Sequence, residues 1–90
     1  MNNHLRSIIL TMLNKHIIGG KHIPENIIIK SKTKWMNSSE RNIFQKEFDD
    51  LIKQEFFIRL KKRSGKGSDW HISLNPGRLN ELKLIMSNGE

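Results

Sequence analysis

Ninety residues make a single domain with a shallow core and leave no room for a large substrate cleft. Sixteen Lys and Arg stand against nine Asp and Glu, and the resulting formal charge of +7 points to an anionic partner, nucleic acid before a membrane surface. There is no cysteine, which excludes disulfides and thiolate metal sites, and no apolar run approaches the roughly 20 residues that span a bilayer. A cytoplasmic protein without a signal peptide is expected, because Thr11 and Asn14 interrupt the apolar N-terminal stretch and no small-residue cleavage site follows.

The first segment, about 3–18, reads as an amphipathic helix. Leu5, Ile8, Ile9, Met12, Leu13 and Ile17 recur at three- and four-residue spacing, with Gly19-Gly20 as the stop. Lys15 and His16 suit its negative end, and His16 falls on the apolar stripe, where a packed histidine is expected. Lys21 to Ile23 reads as a minimal strand. Pro24 and Glu25 open a short second helix, although the β-branched run Ile27 to Ile29 also suits a strand.

The stretch "SKTKWMNSS" reads as a turn that docks Trp35 and Met36 on the core. Asn37, with Glu40 three residues on, resembles a capping box for a third helix that runs to about residue 54. Phe44, Phe48, Leu51 and Ile52 form its buried stripe, and Ile43 lies at the edge. Then the period changes to two. Phe56, Ile58 and Leu60 alternate with Phe57, Arg59 and Lys61, and after the loop "RSGKGSD" Trp70, Ile72 and Leu74 alternate with His71 and Ser73. The two apolar sets are expected to face the core together. Asn75-Pro76 reads as a cap and first residue of a last helix, about 76–87, with Leu79, Leu82 and Met86 on one face and Leu84 on the other.

The fold class is therefore mainly α with a small β-hairpin: a three-helix core, a two-stranded hairpin and a C-terminal helix. This order, and above all the junction "FDDLIKQEFFIRL" followed by a basic glycine loop and "WHISL", resembles the winged-helix family of DNA-binding domains over residues 5–74. The pairing of "GGKHIPEN" with "WHISLNPGRL" is also similar to small stand-alone archaeal winged-helix proteins. The resemblance implies that the third helix enters the major groove and that the wing, about 57–74, contacts backbone or minor groove. Two departures from the family stand out. The connection between the second and third helices is longer than a tight helix-turn-helix turn, and Ile23 stands where a capping Ser or Thr is usual.

The candidate contacts follow from the chemistry. Arg59, Lys61, Lys62, Arg63 and Lys66 crowd around Gly65 and Gly67, and such a cluster is self-repelling until an anion neutralises it. Ser38, Ser39, Asn42, Gln45 and Lys46 lie on the outward face of the third helix and are of the types that reach base edges and phosphates. Lys32 and Lys34, with Lys30 and Arg41, are backbone-positioning candidates. Asp49 and Asp50 would be repelled by DNA unless lifted away from it, which fits a helix that enters a groove by its leading end and fits a plain surface helix nearly as well. Trp35 and Trp70 sit beside apolar stripes, so core packing is expected over base stacking. The four histidines show no metal-ligand spacing, and no nucleophile elbow, P-loop or carboxylate pair is present, so neither a metal, a cofactor nor an enzyme is expected.

The expected function is double-stranded DNA binding by a transcriptional regulator. An RNA-binding or ribosome-associated winged helix and a protein-interaction module remain open. A homodimer through the C-terminal helix is suggested by Leu84.

Overall fold

The structure, a computed structural model, describes residues 2–64 and 67–88, and the side chains at 63, 64, 67–69 and 88 lie outside that description. Among the described residues it is an α+β fold of four helices and one antiparallel three-stranded sheet. The order is α1 (Asn3–Asn14), β1 (Ile23–Pro24), α2 (Glu25–Thr33), α3 (Ser38–Lys53), β2 (Phe57–Ser64), β3 (Gly67–Leu74), a 3-10 turn at Pro76–Arg78 and α4 (Leu79–Asn88). No described helix is long and apolar enough to cross a membrane.

The first helix is capped by the Asn2 side chain, which accepts from the backbone N–H groups of His4 and Leu5. It ends earlier than the predicted residue 18, and Gly19 is not what stops it. His16 turns into the left-handed region at φ 55°, and its N–H donates to Leu13 while that of Ile17 reaches back to Met12. This is a Schellman motif, closed by contact between its two apolar ends. The motif lets Ile17 drop back into the core, and it leaves His16 exposed rather than packed. The same device ends α3. Glu55 has φ 64°, its N–H donates to Ile52, and Phe56 N–H returns to Leu51.

After this stop the chain runs beside the end of β3. Gly19, with φ 63°, donates its N–H to the Leu74 carbonyl, and Leu74 N–H donates to Ile17, each within 3.0 Å. Ile23 then pairs with Ile72 and Pro24 with His71, so the expected two-stranded hairpin is a sheet of order β1-β3-β2. The helix wins over the strand at Ile27 to Ile29: Glu25, Ile28, Ile29 and Thr33 turn inward at the three- and four-residue spacing of a helix, whereas a strand would set Ile28 and Ile29 on opposite faces. It continues to Thr33, so the α2–α3 connection is four residues, 34–37, much shorter than the predicted turn. The capping box forms: Asn37 Oδ1 accepts from Glu40 N–H at 2.9 Å, and Glu40 accepts from Asn37 N–H.

The register of the hairpin corrects the predicted face of β2. Phe57 pairs with Leu74, Arg59 with Ile72 and Lys61 with Trp70. Paired residues share a face of a pleated sheet, so Phe57 and Arg59, not Ile58 and Leu60, lie on the core side. Both Phe56 and Phe57 are buried, because Phe56 belongs to the α3 stop and the alternation starts only one residue later. The strands also extend into the predicted loop, to Ser64 and from Gly67.

The core gathers Leu5, Ile8, Ile9 and Met12 of α1, Ile28 of α2, Phe44, Phe48 and Leu51 of α3, Ile72 and Leu74 of β3, and Leu82 and Met86 of α4. Phe48 meets Phe57 at a ring separation of 5.3 Å, which seats the root of the hairpin on α3. The fourth helix is tied to α1 by Arg6, whose Nη2 donates to the Met86 carbonyl at 2.9 Å. Two expectations about tryptophan fail. Met36 docks on the core but Trp35 is 87% exposed, and Trp70 is 42% exposed beyond the end of the core.

Candidate nucleic-acid interface

The basic side chains divide into two groups by what they touch. The arginines are largely committed. Arg59 Nε and Nη2 donate to the two carboxylate oxygens of Glu25 at 2.7 and 3.0 Å, and its guanidinium lies 4.4 Å from the Trp70 ring. Arg78 donates to the Gln54 carbonyl, pairs with Glu81 at 2.8 Å and lies over the Phe56 ring. Most lysines are not, although Lys21 Nζ donates to the Lys15 carbonyl at 3.0 Å. Both ion pairs among the described side chains use arginine, and no lysine is paired with a carboxylate there; the side chain of Asp69, opposite Lys62 in the ladder, lies outside them.

Arg59 therefore leaves the predicted contact set. It is on the core face of β2, and its fork is filled by the buried Glu25 at the start of α2. Lys61 and Lys62 are exposed, but successive strand residues point to opposite faces. Lys61 follows Arg59 and reaches within 5.5 Å of the Trp70 ring, while Lys62 lies on the far face. The cations predicted as one cluster are thus split between the two sides of the hairpin. Lys66 lies outside the described residues, as does the side chain of Arg63.

On α3, Ser38, Ser39, Arg41, Asn42, Gln45 and Lys46 are all exposed, as the helical period requires. Gln45 donates one amide hydrogen to Asp49 at 2.9 Å, and Asp50 accepts from Gln54. The two flanks of this helix differ in charge. Glu47 and Asp50 line a small depression toward Leu5 of α1 and Ile85 of α4. Arg41 and Gln45 line a larger groove, of about 600 Å³, against Lys30 and Lys34 of α2. The predicted row Lys30, Lys32, Lys34 is helical rather than extended. Lys30 and Lys34, four apart, share a face, and Lys32 turns away from it and is half-buried.

Two side chains missed by spacing come together on the outer face of the sheet. Nδ1 of His22 and Nδ1 of His71 lie 2.8 Å apart with their rings nearly perpendicular. The His22 imidazole is held below its ordinary value of 6.5 by partial burial first, and then by the charges of Lys62 and His71. Forty-nine residues of separation hid this pair, and only the β1–β3 ladder brings it about. Among the described residues no group of three metal-ligating side chains forms.

Fold and surface together define a small α+β protein with exposed lysines on α2, α3 and the hairpin, none of them paired with a carboxylate among the described side chains. No protein-family model, curated protein or solved structure matches the chain.

Proposed function

We propose that this chain is a winged-helix protein that binds double-stranded DNA and acts as a transcriptional regulator. The helix α3 enters the major groove by its leading end, and the β2–β3 hairpin serves as a wing on the phosphate backbone. One observation carries this reading: no lysine is paired with a carboxylate among the described side chains, and the outward face of α3 offers Ser38, Ser39, Asn42, Gln45 and Lys46. Uncompensated cations repel one another, and an array of phosphates relieves that repulsion while releasing condensed counterions. The sixteen residues of α3 make a rod of roughly 24 Å, about 10–12 Å across, which a major groove of about 12 Å admits.

Asp49 and Asp50 sit past the middle of α3, bound to Gln45 and Gln54, which suits a helix presented by its N-terminal turns. Lys34, Arg41, Lys61 and Lys62 act as backbone contacts, with Lys32 at the margin.

The test is a binding titration over salt with duplex DNA, against structured RNA as competitor. Neutralising about five phosphates gives a slope of log affinity on log salt near −4 to −5. Reversing Lys61, Lys62 and Lys66 to Glu should flatten the slope and weaken all sequences alike. Preference for the RNA would move the reading to an RNA-binding winged helix. No binding to either at low salt would leave a protein-docking module.

A further inference from the structure

Trp35 is the least expected side chain on the surface. It is 87% exposed in the short α2–α3 connection, and Lys34 Nζ lies 5.3 Å from its ring centroid. An indole left in water forgoes the burial that most tryptophans gain. The neighbouring groove between α2 and α3 has an apolar floor of Ile29 and Phe44, and its walls carry Lys30, Lys34 and Arg41 with no acidic side chain among its lining. Lys34 belongs to both features: it lines the groove and its ammonium lies over the neighbouring indole.

Three cations around an apolar floor, beside a free aromatic face, match one kind of ligand: a flat ring attached to phosphate. A base inside a duplex has both faces covered by its neighbours in the stack. Only an unpaired base offers a face to an indole. We propose that the α2–α3 groove holds an unpaired nucleotide of a DNA strand, with phosphates on Lys30, Lys34 and Arg41 and the base stacked on Trp35. This inference rests on the nucleic-acid reading above and sharpens it: the partner is DNA with a single-stranded segment next to its duplex.

The experiment compares a blunt duplex, the same duplex with a single-stranded overhang, and oligothymidine alone, on the full chain and on Trp35→Ala, Trp35→Phe and Arg41→Gln. Trp35 is exposed, so these variants are expected to melt like the parent. The overhang should bind roughly tenfold tighter than the blunt end, in line with the stacking of one base on one aromatic ring. Trp35→Ala should erase that preference and Trp35→Phe retain it. Arg41→Gln should weaken the overhang more than the blunt duplex. In a Trp70→Phe background the remaining Trp35 emission should be quenched by the overhang and by oligothymidine.

Equal affinity for blunt and overhanging DNA, or an overhang preference that survives Trp35→Ala, overturns the groove assignment and leaves duplex binding standing. Trp35-dependent binding of the overhang and oligothymidine with no affinity for the blunt duplex supports the groove and sinks the major-groove reading. Failure of all three probes to bind at low salt overturns both.

Discussion

The guanidinium of Arg59 faces the carboxylate of Glu25 squarely, with donor–acceptor distances of 2.7 and 3.0 Å. This fork joins the core face of β2 to the first turn of α2, and Trp70 covers its outer side. The contact ties the hairpin to α2, alongside the β1–β3 ladder and the Phe48–Phe57 packing.

Removing the charge from one partner leaves the other half-buried and alone. Glu25→Gln should lower unfolding free energy by about 1–3 kcal/mol in urea titration. The figure is at the lower end of the range for buried pairs because the Arg59 side chain keeps 34% of its exposure, so water and salt screen the pair. An unchanged midpoint would mean that the fork contributes nothing to holding the hairpin.

His16 and Glu55 both occupy left-handed conformations that favour glycine, at φ 55° and 64°. A side chain pays roughly 1 kcal/mol or more for that backbone. Each of His16→Gly and Glu55→Gly should therefore stabilise the fold by about 0.5–1 kcal/mol, after the extra freedom of glycine in the unfolded chain is subtracted. Thermal melts of the two single variants and the double variant check both the sign and the additivity.

The capping box at the start of α3 satisfies two otherwise orphaned groups. Asn37→Ala should cost about 1 kcal/mol, and Asn37→Ser much less, by denaturant titration. Equal losses for the two variants would show that the Asn37 carbonyl oxygen is not acting as the cap.

The His22–His71 contact makes stability depend on pH. Folding holds the His22 pKa below 6.5, so above that value the residue is neutral in both states and its contribution is complete. As pH falls through 6.5 the unfolded chain takes up the proton first, and stability drops until the folded pKa is passed. The hydrogen bond needs one neutral ring as acceptor, and Lys62 opposes a second charge nearby. The melting temperature should fall between about pH 7.5 and pH 5, and fall less in His22→Gln. Parallel pH profiles for the two proteins would count against the pair.

If α3 reads base edges, Asn42→Ala and Gln45→Ala should change which sequences are preferred rather than the salt slope. Asn42 should matter more, because one amide hydrogen of Gln45 is already given to Asp49. Selection from a random duplex pool by each variant measures this. An unaltered consensus would place base recognition elsewhere.

Much of the fold was legible before any coordinates. The period of α1 and α3, the capping box at Asn37, the Asn75-Pro76 start and the switch to alternation after α3 are all local. Each depends on residues within one turn or one strand of each other. The candidate surface of α3 was legible for the same reason: once Phe44 and Phe48 face inward, Asn42 and Lys46 must face outward.

What escaped the sequence depended on partners far along the chain. Alternation in β2 has two phases, and only the ladder to β3 chose the one that puts Arg59 over Glu25 and sends Lys61 and Lys62 to opposite faces. The His22–His71 contact and the third strand came from the same long-range pairing, and Trp35 stayed in water because the four-residue connection buries Met36 instead. Composition and periodicity set which side chains are turned out of each element. Strand register and helix packing decide which of them meet, because those contacts are made across dozens of residues that no local pattern encodes.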